Sequence, residues 1–554
     1  MRKHLVSAVL LLLASLPALA EQRTVRVRLF WQHPPAMIRV TPRGAWLRTC
    51  DTCTPSDLKT AIQITAEKAS VSAGSISSET VLITGLIRIS GRDFPPFEVR
   101  DELRIQTRDN LLLLTLKMPL EAYVSAVLQG ESANFQSDEA LKAMAVAART
   151  YAVRFGSRHR LEGFDFCDTT HCQDIRLDID SPRARVATAA TEGELLWFEG
   201  RPAAAYYHRS CGGEIEDASG LEPGLHVPYL KRHHDDYCAG TPDEWQTEIS
   251  KSDLARALGR SADAVRVVAR SDSGRVQRLV IDGRMVEETE FRLAVGRALG
   301  WDKLRSDLYE EEDRGDRVEF HGRGQGHGVG LCQRGAENMG EQGHSYREIL
   351  AYYYPGTTLG INAQGLSWEK LPGESVDVVT TDRNDAAILL STAERALQFA
   401  MKRTGWDFRT RPQVKVYPTL DIYRDATGEP GWIAASTLGS VIRLQPIQML
   451  QRARSLDLTL RHEFLHILIE SHTVANAPLW LREGLAIYLS DPEAVKPAEA
   501  DPDVLERELQ SARTEQETRA AYRACAAAAA EAVEKNGLKA ALSWLEQPNA
   551  GRNP

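Results

Sequence analysis

What this 554-residue chain lacks narrows it first. It has no excess of basic charge: 67 Lys and Arg stand against 76 Asp and Glu, a formal net charge of -9. No basic cluster interrupts that balance, so nothing here attracts a polyanion and a nucleic-acid binder is excluded. After its first 20 residues it has no apolar run long enough to span a bilayer, and the alanines around residues 525–530 suit a soluble helix better than an anchor. It has no internal repeat, which excludes a solenoid or propeller. No Gly-Lys-Ser or Gly-Lys-Thr follows its one glycine-rich stretch, so that stretch is not a phosphate loop.

What is present is the composition of a soluble globular protein, 43% apolar and 26% charged, too long for a single core. Arg2, Lys3 and His4 precede an apolar run over residues 5–16, and Pro17, Ala18, Leu19 and Ala20 follow before Glu21. This predicts a secretory signal peptide over residues 1–20, with no cysteine at the cut for a lipid. The mature chain is then secreted, periplasmic or cell-wall associated, with no integral membrane segment. Eight cysteines in that compartment predict local disulfides, Cys50 with Cys53, Cys167 with Cys172 and Cys211 with Cys238, leaving Cys332 and Cys525 over. Cys167 and Cys172, with His159 or His171 near them, could instead hold a zinc ion.

Short alternating runs such as TVRVRLF, VLITGLIRIS and LLLLTLK predict strands over residues 23–117. Helical patterns follow over residues 119–154, and mixed strand and helix patterns continue to about residue 360. Residues 362–375 are polar and turn-rich, as in a linker. Beyond them residues 382–404 read as a long amphipathic helix, QVKVYP and VIRLQP as strands, and nearly everything after Pro446 as helix. The fold class is therefore α+β and multidomain: a β-rich block with a helical segment over residues 21–361, then a mainly helical block with a small sheet over residues 376–554.

One carboxylate breaks the pattern of the first block. Leu120, Tyr123, Val124, Val127 and Leu128 mark one helix face, and the next position on it is Glu131. Ser137 is the N-cap of a second helix whose inner face carries Leu141, Met144, Ala145, Ala148, Tyr151 and Ala152. A carboxyl between two such helices is desolvated, which raises its pKa and suits a general acid; the alternative is a Glu paired with a buried Arg such as Arg149. In the second standout segment, HGRGQGHGVGLCQRG, glycine occupies 322, 324, 326, 328 and 330. An extended chain there has one bare face, open to a ligand or another backbone, with His327 on the other.

GES at 130–132 with ALKAMAVAARTYAV behind it, FDFCDTTHCQDI, AYYHRSCGGEIEDA, GRGQGHGVGLCQRGA and HSYREILAYYYPGT occur in that order between residues 130 and 357. Together they resemble the SpoIID/LytB family over about residues 24–360. Members with demonstrated activity are peptidoglycan lytic transglycosylases, and others are enhancers of wall hydrolases. The resemblance implies Glu131 as catalytic acid, Arg149 and Tyr151 as supporting groups of a substrate-binding sugar groove, and Gln173, Tyr207, His327 and Gln333 as its lining for glycan strands. It also implies a zinc near the site, for which His159, Cys167 and Cys172 are the nearest match. Cys332 stands where the family usually has Ser, and Arg334 where it often has an aromatic.

The second block carries RHEFLHILIESH, which sets His462 and His466 one turn apart on an otherwise apolar helix. Two such imidazoles bind one Zn²⁺, with Glu463 as general base on its water and Glu483 of PLWLREGLAIYL as third ligand. The WLREGLA context resembles the gluzincin metallopeptidases, and HExxH with EGxAxY resembles the small peptidase-MA-like domains. The resemblance covers about residues 376–550 and implies a zincin-like fold acting on a peptide or protein. The strand from Gly431 is the expected edge along which a peptide adds, and Tyr488 or Tyr522 the expected phenol for an oxyanion. Two functions follow: an exported enzyme with glycan-cleaving and zinc-peptidase activities, or a wall-binding scaffold or hydrolase enhancer with an inactive first block and a peptidase acting on another protein.

Overall fold

The computed structural model describes residues 23–546 except 157, 222–223, 241–242, 385, 474–476 and 513. The expected signal peptide lies outside the described residues. Two compact units, Thr24–Ser367 and Trp368–Pro554, divide the chain. Among the described residues no helix is long and apolar enough to cross a membrane.

The first unit opens with a large, almost wholly antiparallel sheet. Alternation builds it: in Thr24–Leu29, Val25, Val27 and Leu29 are buried while Arg26 is exposed and Arg28 half-buried over the Phe164 ring on the other face. The hairpin Glu102–Arg108 to Leu111–Pro119 turns at Asp109 and Asn110, both with positive φ, the turn that matches strand twist. Thr24–Leu29 pairs with Leu111–Pro119 on one side and, in parallel, with the short strand Phe166–Cys167 on the other. Pro119 ends the sheet and begins the helix Leu120–Glu131.

Behind the sheet, the helix Asp138–Phe155 is buried along nearly all of Ala140–Ala152 rather than on one face. Ser137 caps it, accepting from the Ala140 amide at 3.2 Å. The helices Leu120–Glu131, Pro182–Ala190, Gln333–Glu341 and Tyr346–Tyr353 all pack on it, and its run of alanines lets them come close. This is the scaffold of the first site.

Between the short strands His233–His234 and Leu331–Cys332 the chain inserts a module, where the sequence patterns show only more mixed strand and helix. Glu244–Ser250, Arg317–Arg323 and Tyr309–Asp313 form one three-stranded sheet, and Val265–Arg270, Val276–Ile281 and Arg284–Glu287 another. Trp245, Leu279, Phe291 and Phe320 belong to a core of its own.

The second unit is mainly helical around a five-stranded sheet ordered Glu369–Pro372, Asp377–Thr380, Gln413–Val416, Val441–Leu444 and Ala435–Leu438. Its first strand falls inside residues 362–375, so that stretch is not all linker. The Gly431 segment becomes a hairpin in which only Ala435–Leu438 is the edge. The helices Leu456–His472, Leu479–Ser490 and Glu515–Asn536 pack in sequence against one another.

Candidate active sites

Glu131 is the last residue of its helix and is partly buried. Residue 130 must be glycine for the next segment to reach it, since a Cβ there would lie 2.5 Å from the carbonyl oxygen of Asp174. The Asp174 amide then donates to Glu131 Oε1 at 2.9 Å, and the Gln333 side-chain amide donates to Oε2 at 3.3 Å. Among the described residues Glu131 forms no ion pair. Burial pushes its carboxyl above the usual range and outweighs the two donors that pull it back.

Gln333 and Tyr207 arrive together because two short strands pair in parallel, Tyr207 opposite Leu331 and His208 opposite Cys332. Gln333 is the next residue. Burial, and after it the nearby charge of Glu131, push the Tyr207 phenol well above its ordinary value. Gln173 is buried behind it: its amide donates to the Tyr207 oxygen at 2.9 Å, while its own oxygen accepts from Tyr123 at 3.0 Å. Tyr151 sets its ring edge-on to Tyr207 and accepts from Arg158 at 2.8 Å. Gln173 and Tyr151 thus hold the wall rather than form its open surface.

Two expectations are corrected. Arg149 is neither the partner of Glu131 nor a groove residue: it is 1% exposed and clamps Glu121 at the other end of the helix, at 2.8 and 2.7 Å, with the carbonyls of Thr188 and Glu194 on its remaining donors. The glycine-rich segment is not an extended bare face. Its strand ends at Arg323, and Gly324, Gly326, Gly328 and Gly330 all take positive φ, a conformation that other residues rarely adopt. What approaches them is protein, as at Gly330, where a Cβ would lie 2.1 Å from the Tyr206 oxygen. His327 stands in this loop beside His208 and Tyr206, and burial holds its imidazole down at about 4.

The expected Cys167–Cys172 and Cys211–Cys238 disulfides are not formed, whereas Cys50–Cys53 is. Cys167, Cys172, His159 and His171 instead converge, their donor atoms within 4.8 Å of one another. His159 places Nε2 3.3 Å from the Cys172 sulfur and Nδ1 2.6 Å from Glu162, the carboxylate behind imidazole that orients a metal ligand. Gln173 and Asp174 follow Cys172 directly, so the segment that holds Glu131 begins at this cluster.

The family model described as Stage II sporulation protein, SpoIID, matches residues 109–198, which include Glu131 and this cluster. A second model, a domain of unknown function (DUF8618), matches residues 242–330, the inserted module and most of the glycine loop. The chain is 31% identical over 264 residues to stage II sporulation protein D of Bacillus amyloliquefaciens, covering 44% of this chain and 74% of that protein. It belongs to the SpoIID family. Stage II sporulation protein D of Bacillus subtilis (strain 168) is 27% identical over 263 residues, with the same coverage of 44% and 74%. The amidase enhancer of the same strain is 28% identical over 292 residues, 43% of this chain and 40% of the enhancer.

Within the SpoIID region the sequence reading missed Asp174, whose amide fixes Glu131 and whose carboxyl adds a negative field beside it, and Tyr123. The signal for Asp174 was its place two residues after Cys172. It also missed that Asp235 gathers Cys211, Cys238 and Cys332 around it.

Beyond the SpoIID region, the helix Leu456–His472 places the His462 and His466 rings 4.5 Å apart, and His466 Nε2 lies 3.2 Å from Glu483 Oε2. The three donor atoms lie within 4.8 Å of one another. Thr437, on the edge strand, donates to Glu463 Oε2 at 2.6 Å, and burial pushes that carboxyl up. Gly484 has no side chain because the helix Glu515–Asn536 passes there: a Cβ would lie 2.4 Å from the Cys525 oxygen. That contact brings Tyr522, whose phenol is pushed up by burial and by the fields of Glu483, Glu429 and Glu463. Tyr488 packs against the hydrophobic core instead.

Proposed function

We propose that this chain is an exported cell-wall enzyme with two chemistries: its SpoIID unit is a lytic transglycosylase on peptidoglycan glycan strands, and its second unit is a zinc-dependent, gluzincin-like peptidase. The observation that carries the first half is the setting of Glu131, a partly buried carboxyl held only by neutral donors and kept above its usual pKa. Such a group is protonated closer to neutrality than a free carboxyl and can donate to a leaving oxygen. Ordinary glycosidases need a second carboxylate to attack or to activate water. Here the muramic 6-hydroxyl is the nucleophile: Glu131 gives its proton to the glycosidic oxygen as the bond to the anomeric carbon breaks. The hydroxyl oxygen closes on that carbon, and its proton returns to Glu131. The product is an anhydro-muramic end. Tyr207 and Gln333 line the site, Gln333 holding Glu131 Oε2 and Asp174 N–H holding Oε1 in both protonation states.

The second unit fits a catalytic zinc by its donor set, two imidazoles and a carboxylate converging with no fourth protein ligand among the described residues. When bound, zinc lowers the pKa of its water and polarises the peptide carbonyl. Thr437 fixes one oxygen of Glu463, so the other takes and returns the proton. The strand Ala435–Leu438 offers its free edge to an extended peptide, and Tyr522, within reach of the fields of Glu483 and Glu463, is the donor to the developing oxyanion. His159, Cys167, His171 and Cys172 fit a second, closed zinc that would hold the segment up to Asp174 in place.

A second reading draws on the match to the amidase enhancer: the SpoIID unit binds glycan without cutting it and the peptidase processes another protein. Digestion of denuded glycan by the purified full chain separates the two. Mass analysis shows anhydro-muramic ends that vanish in Glu131→Ala under the first; their absence from the wild type at every metal condition rejects it. For the second unit, one zinc per chain is lost in His466→Ala, and an unchanged zinc content rejects the ligand assignment.

A further inference from the structure

Cys211, Asp235, Cys238 and Cys332 come from three distant parts of the chain and meet with their ligand atoms within 4.8 Å of one another. All four are fully buried, at 0% exposure. A tetrahedral zinc with bonds of about 2.3 Å sets its thiolate sulfurs about 3.8 Å apart, the scale of this cluster.

Three features point to a cation at its centre. Asp235 is a carboxylate inside the protein, and a buried charge needs an opposite one. Its partners are all neutral: the Tyr353 hydroxyl at 3.0 Å and the Cys211 thiol at 3.3 Å on Oδ2, and the amides of Tyr237 and Cys238 at 3.1 and 3.2 Å on Oδ1. Backbone amides are also aimed at sulfur. Those of Cys211 and Gly335 lie 3.3 and 3.4 Å from the Cys332 sulfur, donors that stabilise a thiolate more than a thiol, and the Ser210 hydroxyl lies 3.5 Å from the sulfur of Cys238. Finally, the count is wrong for a disulfide. A bond between Cys211 and Cys238 uses two sulfurs and leaves the Cys332 thiol and the Asp235 carboxylate, both helix caps, buried together with no positive charge between them.

We propose that Cys211, Asp235, Cys238 and Cys332 form a closed structural zinc site, distinct from the cluster at Cys167 and from the histidines of the second unit. Three thiolates select a soft or borderline metal over magnesium or calcium, and four protein ligands leave no open position for substrate. Its effect is mechanical. Cys211 follows the strand Tyr207–His208, Cys332 ends the strand that pairs with it, and Gln333 is the next residue. The metal fastens the segments that carry Tyr207 and Gln333 to Glu131.

The test uses the full chain carrying Cys50→Ala, Cys53→Ala, Cys167→Ala and Cys172→Ala, stripped of metal, reduced and titrated with cobalt(II). The group formed by His462, His466 and Glu483 contains no cysteine and Cys525 is outside every cluster of possible ligands among the described residues, so thiolate-to-cobalt charge transfer reports this cluster. One equivalent should develop the band, zinc should displace it, and further substitution Cys238→Ala should abolish it. Absence of the band in the parent variant overturns the site. If that variant does not fold, peptide mapping of the native wild type decides: Cys211, Cys238 and Cys332 should resist alkylation until a chelator is added. A Cys211–Cys238 disulfide as the main species, or three thiols alkylated at equal rates with and without chelator, overturns the proposal.

Discussion

The side-chain amide of Gln333 donates to Glu131 across 3.3 Å of space and 202 positions of sequence. Neither element reaches the other by local folding. A two-residue parallel pairing, Tyr207–His208 with Leu331–Cys332, brings the start of one helix to the end of another. Burial raises the pKa of the carboxyl, and the Gln333 donor, which favours the ionised form, only partly offsets that.

Replacing Glu131 by Gln removes the proton carrier but keeps an acceptor for the Asp174 amide. Release of anhydro-muramic ends should fall by about a hundredfold or more, the scale of a lost general acid. Stability should move the other way. A carboxyl with a raised folded pKa favours the folded state fully only below its ordinary value of 4.5, and that contribution is lost as pH climbs through the raised value. Glu131→Gln should therefore melt at or above the wild-type temperature at neutral and alkaline pH, with the advantage closing as pH falls toward 4.5. A variant less stable than the wild type at alkaline pH contradicts this.

Asp174 separates one-carboxyl from two-carboxyl chemistry. Its negative field helps to raise the Glu131 pKa, and its backbone donor survives substitution. Asp174→Asn should retain anhydro-muramic products, with the alkaline limb of the pH–rate profile shifted to lower pH. If Asp174 instead activates water, the variant loses activity and the wild type yields reducing ends.

Arg149 should behave as a structural residue. Breaking a buried, bidentate pair costs about 3–5 kcal/mol, so Arg149→Ala should lower the denaturation midpoint strongly, and Glu121→Gln should do so by a comparable route. Thermal and urea unfolding of the two variants measure it. A variant with wild-type stability but raised KM for glycan would return Arg149 to the groove.

The sequence made Glu131 legible because apolar spacing assigned it to a helix face, whatever lay across from it. It could not say which glutamate Arg149 would meet, since Glu121 and Glu131 sit at opposite ends of one helix and the partner is chosen by tertiary packing. Alternate glycines look the same whether they bare a strand or turn a loop through positive φ, and only the approach of Tyr206 and Ser210 selects the latter. Nearness in sequence suggested cysteine pairs, but the fold draws in Cys332 from 121 positions beyond Cys211. The inserted module escaped notice because its short strands and helices carry the same periodicities as their surroundings, while its separate core is a property of contacts.

The choice between the two phenols of the second unit is the sharpest remaining test of its chemistry. Tyr488 lies on the same helix as Glu483, but its ring packs into the core, where it serves stability. Tyr522 is carried in by the helix that Gly484 admits, and the fields of Glu483 and Glu463 reach its hydroxyl. Burial first, and those charges after it, push its phenol up, toward the protonated form that an oxyanion donor needs. Tyr522→Phe should leave zinc content and melting temperature near wild type and lower peptide hydrolysis by about 10²–10³, the scale of one lost oxyanion donor. Tyr488→Phe should cost little activity. The reverse ranking, measured with the zinc content of both variants held equal, would move the oxyanion site to the other side of Glu483.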